Sequence, residues 1–140
     1  TSMSLTSALA ADVFSLYEGS SKFYTALVLV YLNRLTVNTT AEAGNTWNDF
    51  YTKIYAVNVA IEGLAKSNSL TPSIKQELTG EAKFLRAFFY FYLVNLYGDV
   101  PLITTSDYNI NAVSFRAAKA LIYQQIIQDL KDAQTLLSNG

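Results

Sequence analysis

The stretch of residues 72–101 constrains the fold more than any other part of the chain. Its apolar residues recur at helical spacing and form one stripe, made of Ile74, Leu78, Leu85, Phe89, Tyr92 and Leu96. Thr71 followed by Pro72 is a typical helix start, because the threonine side chain can cap the helix and proline lacks only an amide hydrogen that would be unpaired there. Gly98 is a typical stop signal. These residues predict a helix over 72–97.

The C-terminal half of this helix has no clear polar face. Its large apolar side chains point in several directions; they are Phe84, Phe88, Phe89, Phe91, Leu93 and Val94. A helix that is apolar all round is either buried or spans a membrane, and a span needs roughly 20 predominantly apolar residues. Glu81, Lys83 and Arg86 interrupt this segment, so we expect a central buried helix. Gly80 and Ala87 form a small-residue groove that another helix can approach closely.

Hydrophobic periodicity predicts about five helices in the chain. They cover residues 3–18, 21–33, 46–66, 72–97 and 116–137. Residues 26–32 are rich in β-formers, so a strand is the alternative interpretation there. A polar loop is predicted over 34–46. The turn over 67–71 is short enough to make its flanking helices antiparallel neighbours. An extended connection is predicted over 99–114, and a short strand is an alternative interpretation of residues 110–113.

Each of the later helices has a predicted start and inward face. Thr46 is the expected cap of the third helix, with Trp47 in the core. Its inward residues are Trp47, Phe50, Tyr51, Ile54, Val57, Ile61, Leu64 and Ala65. Those of the fifth helix are Leu121, Tyr123, Ile126, Ile127, Leu130, Ala133 and Leu137. Ser114 is a candidate cap of the fifth helix.

Three polar residues stand out because they lie in or beside apolar faces. Asn58 must find hydrogen-bond partners, so we expect it to tie down a loop or a helix end. Glu81 is expected to project toward the apolar stripe, either as a general acid or, in the interpretation we favour, as a structural group bonded across a helix interface. Arg86 is expected to pair with an acid on another helix, for which Asp129 is the candidate.

Composition excludes several classes of function. The chain has no cysteine, no histidine, a net charge of −1 and no basic run, which removes thiolate and imidazole chemistry and the footprint of a nucleic-acid-binding protein. Neither a Gly-rich phosphate loop nor a metal-spaced ligand set occurs. We therefore predict no catalytic residues, no metal and no cofactor, and a protein that is not an enzyme.

Charged residues make up only 15% of the chain, against about 25% in average globular chains. The chain also has ten tyrosines and eight phenylalanines. A large aromatic core explains this composition. Two alternatives are a surface for a partner and an apolar surface that packs against further sequence of a longer protein.

A nearly gapless run of residues crosses the end of the central helix. It consists of Gly80-Glu81-Ala82-Lys83-Phe84-Leu85-Arg86-Ala87, then Tyr90 and Leu93-Val94, then Leu96-Tyr97-Gly98-Asp99-Val100-Pro101-Leu102. Weaker flanking pieces are Trp47, Tyr51, Ile54, Tyr55 and Asn58 before it, and Arg116, Tyr123, Ile126, Asp129 and Leu130 after it. Together they resemble the SusD/RagB family of bacterial outer-membrane lipoproteins that bind nutrients. The family usually has Ser or Thr soon after the arginine, where this chain has Ala117 and Ala118.

This resemblance implies a fold and a cellular setting. The fold is all-α, with antiparallel TPR-like helix pairs around the central buried helix. Residues 1–140 are then a single helical domain, the N-terminal part of a longer SusD-like protein. A lipidated N-terminus, absent from this chain, anchors such a protein at the cell surface on the outer membrane. The implied activity is glycan binding as the partner of a SusC-like TonB-dependent transporter.

The resemblance also implies a position for ligand contacts. In the family, part of the binding surface comes from the loop between the second and third helices, here residues 33–46. Its hydrogen-bonding candidates are Asn33, Arg34 and Asn38. The loop has no aromatic side chain for stacking on sugar rings. Two alternatives therefore stay open, a peptide-binding RagB-like member and a helical scaffold that docks the transporter without touching ligand.

Overall fold

Four helices and a two-stranded sheet form the part of the chain that the structure, a computed structural model, describes, residues 41–138. They are α1 (Ala41–Lys66), α2 (Pro72–Tyr97), β1 (Val100–Pro101), α3 (Tyr108–Asn111), β2 (Arg116–Ala117) and α4 (Lys119–Leu137). The chain divides into two compact units between Asp49 and Phe50. Of the first unit, only the first residues of α1 are described. The helices predicted over 3–18 and 21–33 lie outside the described residues.

Helix α1 starts earlier than predicted. It begins at Ala41, so the expectation that Thr46 caps it is wrong, and residues 41–46 do not belong to a loop. The segment from Ala41 to Ala43 is made of good helix formers, whose propensity extends the helix toward the N-terminus. Trp47, predicted to lie in the core, is half-buried.

Helix α2 has the predicted bounds. The Thr71 side chain accepts a hydrogen bond from the backbone N–H of Ile74 at 3.4 Å, and Pro72 occupies the first helical position. At the other end Gly98 has a φ of 76°, and its N–H donates to the Val94 carbonyl at 3.1 Å. A left-handed φ favours glycine because it has no Cβ. Local capping chemistry therefore sets both ends of the helix.

Both α1 and α4 pack against α2, and each runs antiparallel to it. The ring of Phe50 lies 5.9 Å from that of Phe89, whereas Lys75, near the start of α2, donates to the Ala65 carbonyl at the end of α1 at 2.9 Å. On α4, Asp132 pairs with Lys83, whereas the hydroxyl of Tyr123, near the start of α4, donates to Asn95 Oδ1 near the end of α2 at 3.3 Å. The all-α fold class and the antiparallel arrangement around α2 are confirmed.

The buried faces differ from the predicted stripes. On α2 the buried residues are Gly80, Ala82, Arg86, Ala87, Tyr90, Leu93 and Val94, and on α4 they are Ile122, Ile126, Asp129 and Ala133. Several predicted inward residues are exposed, namely Ile74, Leu78, Leu85, Leu96, Leu121, Tyr123, Ile127, Leu130 and Leu137. The buried face of each helix, which includes Arg86 or Asp129, is turned away from the predicted apolar stripe. On α2 the two faces differ by about 130°, more than a third of the circumference.

The connection after α2 is not simply extended. Val100 pairs with Ala117, and Pro101 pairs with Arg116, in an antiparallel ladder. The predicted strand over 110–113 is wrong, because the one-turn helix α3 covers Tyr108–Asn111. Its cap is Asp107, whose Oδ1 accepts a hydrogen bond from the N–H of Asn109 at 2.8 Å.

Helix α4 begins at Lys119 rather than at residue 116, and Ser114 does not cap it. The Ser114 hydroxyl donates to the Ile110 carbonyl instead. Asp99 Oδ1, which is 20 residues away in sequence, accepts a hydrogen bond from the first N–H of α4 at 3.0 Å. A carboxylate at a helix start also favours the helix dipole.

Gly80 permits the close approach of α2 and α4, as the sequence predicted. A Cβ built at this position would lie 2.9 Å from Leu137 Cγ and 3.1 Å from Leu136 Cβ. At Gly63 on α1, a Cβ meets nothing within 4 Å. A neighbouring helix therefore blocks a methyl group at buried Gly80 but not at exposed Gly63.

We expect Gly80→Ala to destabilise the protein and Gly63→Ala to stabilise it. Both substitutions gain about 1 kcal/mol of helix propensity, but at Gly80 overpacking costs typically 1–3 kcal/mol. Urea denaturation followed by circular dichroism measures both changes. Equal stabilisation by the two variants would show that α4 does not approach α2 this closely.

Candidate functional site

A buried ion pair joins α2 to α4. Arg86 Nε donates to Asp129 Oδ2 at 2.8 Å, and Arg86 Nη2 donates to Asp129 Oδ1 at 2.7 Å. The residues are 6% and 1% exposed. The two parallel hydrogen bonds make a bidentate contact, which is the strong form of this interaction. The predicted pairing of Arg86 with Asp129 is confirmed.

Asn58 extends this pair to α1 and to the chain after β1. Its Oδ1 accepts a hydrogen bond from Arg86 Nη1 at 2.9 Å. Its Nδ2 donates to the carbonyls of Ile103 and Thr105, at 3.1 and 3.3 Å. The prediction that Asn58 ties down a loop is confirmed. One amide side chain thus fixes the segment 102–106 against two helices.

Two tyrosines hold the start of the same segment. Tyr90 is fully buried, and its hydroxyl accepts from the N–H of Ile103 at 2.6 Å and contacts the Ile103 carbonyl at 2.9 Å. The hydroxyl of Tyr51 donates to the Pro101 carbonyl at 2.8 Å. Burial raises the pKa of both tyrosines, because it disfavours the phenolate form. Both hydroxyls therefore stay protonated and able to donate.

Glu62 completes the attachment, and the sequence analysis missed it. Its carboxylate accepts hydrogen bonds from the Ser106 N–H at 2.8 Å, from the Ser106 hydroxyl at 2.5 Å and from the Thr105 hydroxyl at 3.0 Å. The hydrogen bonds from Ser106 and Thr105 lower the pKa of Glu62. The sequence carried one signal for this contact. Asn58 and Glu62 stand at i and i+4 on one face of α1, so both side chains can reach the same segment.

Glu81 does not take part in this cluster. Its side chain is exposed on α2, so the expectation of a buried carboxylate is wrong. The cause is the rotation of the buried face, which leaves Glu81 on the solvent side of the helix. Nothing in its surroundings supports the general-acid interpretation.

The cluster is suited to holding the backbone rather than to chemistry. The charges of Arg86 and Asp129 satisfy each other, and Gln125 Nε2 adds a hydrogen bond to Asp129 at 3.1 Å. Within residues 41–138, no group of three or more acidic side chains is placed to hold a metal ion. None of the helices in that range combines the length and the apolarity that a membrane crossing needs. The predicted ligand-binding residues, Asn33, Arg34 and Asn38, lie outside the described residues.

An open apolar groove runs between α2 and α4 on the outer surface. Its cavity of about 160 Å³ is lined by Phe84, Ala87, Phe88, Phe91, Ile126 and Leu130. No charged or polar side chain lines it. Phe91 and Leu130 are 48% and 41% exposed. The groove is a candidate surface for an apolar partner segment.

We expect Asp129→Leu to destabilise the protein by about 3–5 kcal/mol, because it leaves the Arg86 charge buried and unpaired. The double variant Arg86→Met/Asp129→Leu should recover much of this loss, since no isolated charge remains. Chemical denaturation measures the free energy of unfolding of the natural protein, the single variant and the double variant. The control is Lys83→Met, which breaks the half-exposed pair with Asp132 and should cost less than about 1 kcal/mol. A loss of stability in Asp129→Leu as small as that in Lys83→Met would contradict the importance of the buried Arg86–Asp129 pair.

We expect the stability difference between the natural protein and Glu62→Gln to depend on pH. The folded-state pKa of Glu62 lies below the ordinary value of 4.5. Its contribution is therefore fully present above pH 4.5 and is lost as the pH falls through the lower folded value. Thermal melts from neutral pH downward test this. The pKa of Asp132 is also lowered, by its hydrogen bond with Lys83. Because Asp132 is present in both proteins, its contribution cancels from the difference in stability. A stability difference between the two proteins that grows as the pH falls would contradict the attachment of Glu62 to Thr105 and Ser106.

Comparison with known proteins identifies the family. The sequence profile of a SusD-like family, described as starch-binding and associating with the outer membrane, matches residues 4–140. The SusD-like protein P25 of Formosa agariphila is 29% identical over 96 residues, which is 68% of this chain but 18% of that protein. The chain thus spans about a fifth of the length of the curated relatives it matches.

Solved structures support the same family assignment. A laminarin-binding SusD-like protein superposes with a TM-score of 0.80 at 29% identity, over 94% of this chain and 29% of that one. Surface glycan-binding protein A of Bacteroides fluxus gives 0.74 at 25% identity, over 92% and 26%. SusD-like proteins are binding proteins rather than enzymes. With the antiparallel helices around α2 and a match that runs almost end to end, the chain belongs to the SusD-like family of starch-binding, outer-membrane-associated proteins.

Proposed function

We propose that this protein captures glycan nutrients, glucans in the first place, at the bacterial outer membrane. The observation that carries the proposal is the family match over residues 4–140, and the similarity to a laminarin-binding structure supports it. The described residues supply a scaffold for such a role. Asn58 and Glu62 on α1 and Tyr90 on α2 hold the segment 102–106 in place.

Asn33, Arg34 and Asn38 remain the proposed ligand contacts. Two amides and a guanidinium can hydrogen-bond sugar hydroxyls. Asn38 lies three positions before Ala41, where α1 begins. The remaining residues of the site, including any aromatic platform, are expected elsewhere in a longer protein.

The proposed setting extends beyond the chain itself. Residues 1–140 form one helical domain, the N-terminal part of a longer SusD-like protein. That protein carries a lipid anchor at its N-terminus, is exposed at the cell surface and acts with a SusC-like TonB-dependent transporter. The difference in length from the relatives, of which the chain covers 18%, supports this extension.

A helical scaffold that docks the transporter without contacting ligand is the second candidate function. The open apolar groove between α2 and α4 favours it, because an exposed apolar surface often marks an interface. The two functions predict different results when residues 33–38 are changed. Ligand contact by these residues predicts weaker ligand binding, whereas the scaffold predicts unchanged ligand binding.

Calorimetric titration of laminari- and malto-oligosaccharides, with peptides in parallel, tests the proposal on the chain and on the longer protein. We expect binding of one glucan series. Replacement of Asn33, Arg34 or Asn38 by alanine should weaken the Kd about tenfold, since one such hydrogen bond is worth about 1.4 kcal/mol. The control is Gln124→Ala, an exposed amide on α4, which should change nothing.

Three other outcomes would contradict parts of the proposal. Unchanged affinity in all three alanine variants would remove these residues from the site. Binding of peptides alone would replace the glycan by a peptide ligand. Absence of any ligand binding, combined with transporter binding by the chain, would favour the scaffold.

A further inference from the structure

The segment 107–115, between β1 and β2, carries the two most exposed aromatic rings of the described residues. Phe115 is 89% exposed and Tyr108 is 79% exposed. Aromatic rings on α1 and α2 pack on one another instead, as Phe50 does on Tyr92 at 6.2 Å between ring centroids. An exposed ring leaves a large apolar area in water, so two such rings on one short segment indicate a binding surface.

Hydrogen bonds hold the backbone of this segment although its rings are bare. Asn111 Nδ2 donates to the Thr105 carbonyl at 2.9 Å, which links the segment to the chain before it. The N–H of Ala112 donates to the Tyr108 carbonyl at 2.8 Å, and the N–H of Ser114 donates to the Asn111 carbonyl at 3.1 Å. Strand β2 follows directly and pairs with β1. A ligand that stacked on the rings would therefore not have to order the chain that carries them.

The polar groups of the segment suit a neutral ligand. Residues 108–115 contain no charged side chain. The Asn109 side chain is exposed and makes no hydrogen bond to another described residue. A sugar presents apolar ring faces, which stack on aromatic rings, and hydroxyls, which hydrogen-bond to amides. A bare ring with a free amide beside it therefore matches a neutral glycan better than a charged ligand.

We propose that Tyr108 and Phe115 form a second glycan contact, where sugar rings stack on the two aromatic rings and the Asn109 amide binds a sugar hydroxyl. A glycan is favoured over other occupants because the bare rings and the absence of charge occur in a family described as starch-binding. The inference rests on the proposed glycan capture and deepens it, since it gives the polymer a second point of attachment. A polymer held at two points binds more tightly than one held at a single point.

The second contact uses a different part of the chain from the contacts proposed at residues 33–38. Ser106, which precedes the segment, is attached to Glu62 in the last two turns of α1. Residues 33–38 come before the start of α1. The two contacts can therefore be removed one at a time by substitution.

Electrophoresis of the longer protein through gels that contain laminarin or amylose measures the Kd for the polymer, and circular dichroism verifies folding. We expect Tyr108→Ala and Phe115→Ala each to weaken this Kd by roughly three- to tenfold, the range of one aromatic stacking contact. Phe115→Trp should retain the affinity, because the larger ring still stacks. The matched control is Val113→Ala, which removes an aliphatic side chain that is 69% exposed in the same segment and should leave the Kd unchanged.

The alanine variants at residues 33–38 separate this inference from the proposed function. Weaker polymer binding in those variants alone would overturn the inference and leave glycan capture intact. Weaker binding in the Tyr108 and Phe115 variants alone would support the inference and remove residues 33–38 from the site. Absence of binding to any glucan would overturn both proposals.

Other occupants of the segment predict other results, each of which would overturn the inference. Equal losses in Val113→Ala and Phe115→Ala would show apolar packing rather than ring stacking. A Phe115→Cys thiol that resists maleimide in the longer protein without glycan would show that another part of the polypeptide covers this position. Self-association of the natural protein that Phe115→Ala abolishes would assign the ring to a second copy.

Discussion

The buried pairing of Arg86 with Asp129 is the interaction on which the rest of the described structure depends. Burying two charges costs more than their attraction returns unless the geometry is good and the remaining hydrogen-bonding groups are satisfied. Here the contact is bidentate, and Asn58 and Gln125 accept or donate the additional hydrogen bonds. The pair and its Asn58 partner therefore require α1, α2 and α4 to be in place together, because each helix contributes one of the three residues.

The same requirement explains the distribution of apolar residues. The ion pair, Tyr90 and small residues such as Gly80 and Ala87 occupy many of the positions that face the interior of α2 and α4, beside larger apolar residues such as Leu93. The remaining large apolar side chains occupy the flanks, where they are partly exposed. A chain that uses its interior to fix the segment 102–106 by hydrogen bonds needs other surfaces to bury its aromatic residues.

Local signals made the bounds of α2 predictable, since Thr71, Pro72 and Gly98 act within a turn of their own positions. The all-α class and the Arg86–Asp129 pairing were also accessible from the sequence. Contacts between distant residues were not, as the Asp99 cap of α4 and the Glu62 attachment show. The buried faces of α2 and α4 were predicted wrongly, because a stripe drawn through apolar residues alone leaves out the buried charges of Arg86 and Asp129. The proposed contacts Asn33, Arg34 and Asn38 rest on family resemblance and stay a prediction.

Two of the surfaces that concern function are supported by different elements. Residues 33–40, which include the proposed ligand contacts, precede α1 in sequence, and the later α1 residues Asn58 and Glu62 are fixed by hydrogen bonds. The groove takes all its lining from α2 and α4. Occupation of the groove would thus bury apolar flanks without displacing any hydrogen bond of the polar cluster. Substitutions in the groove can therefore be made without changing the hydrogen bonds that hold the segment 102–106.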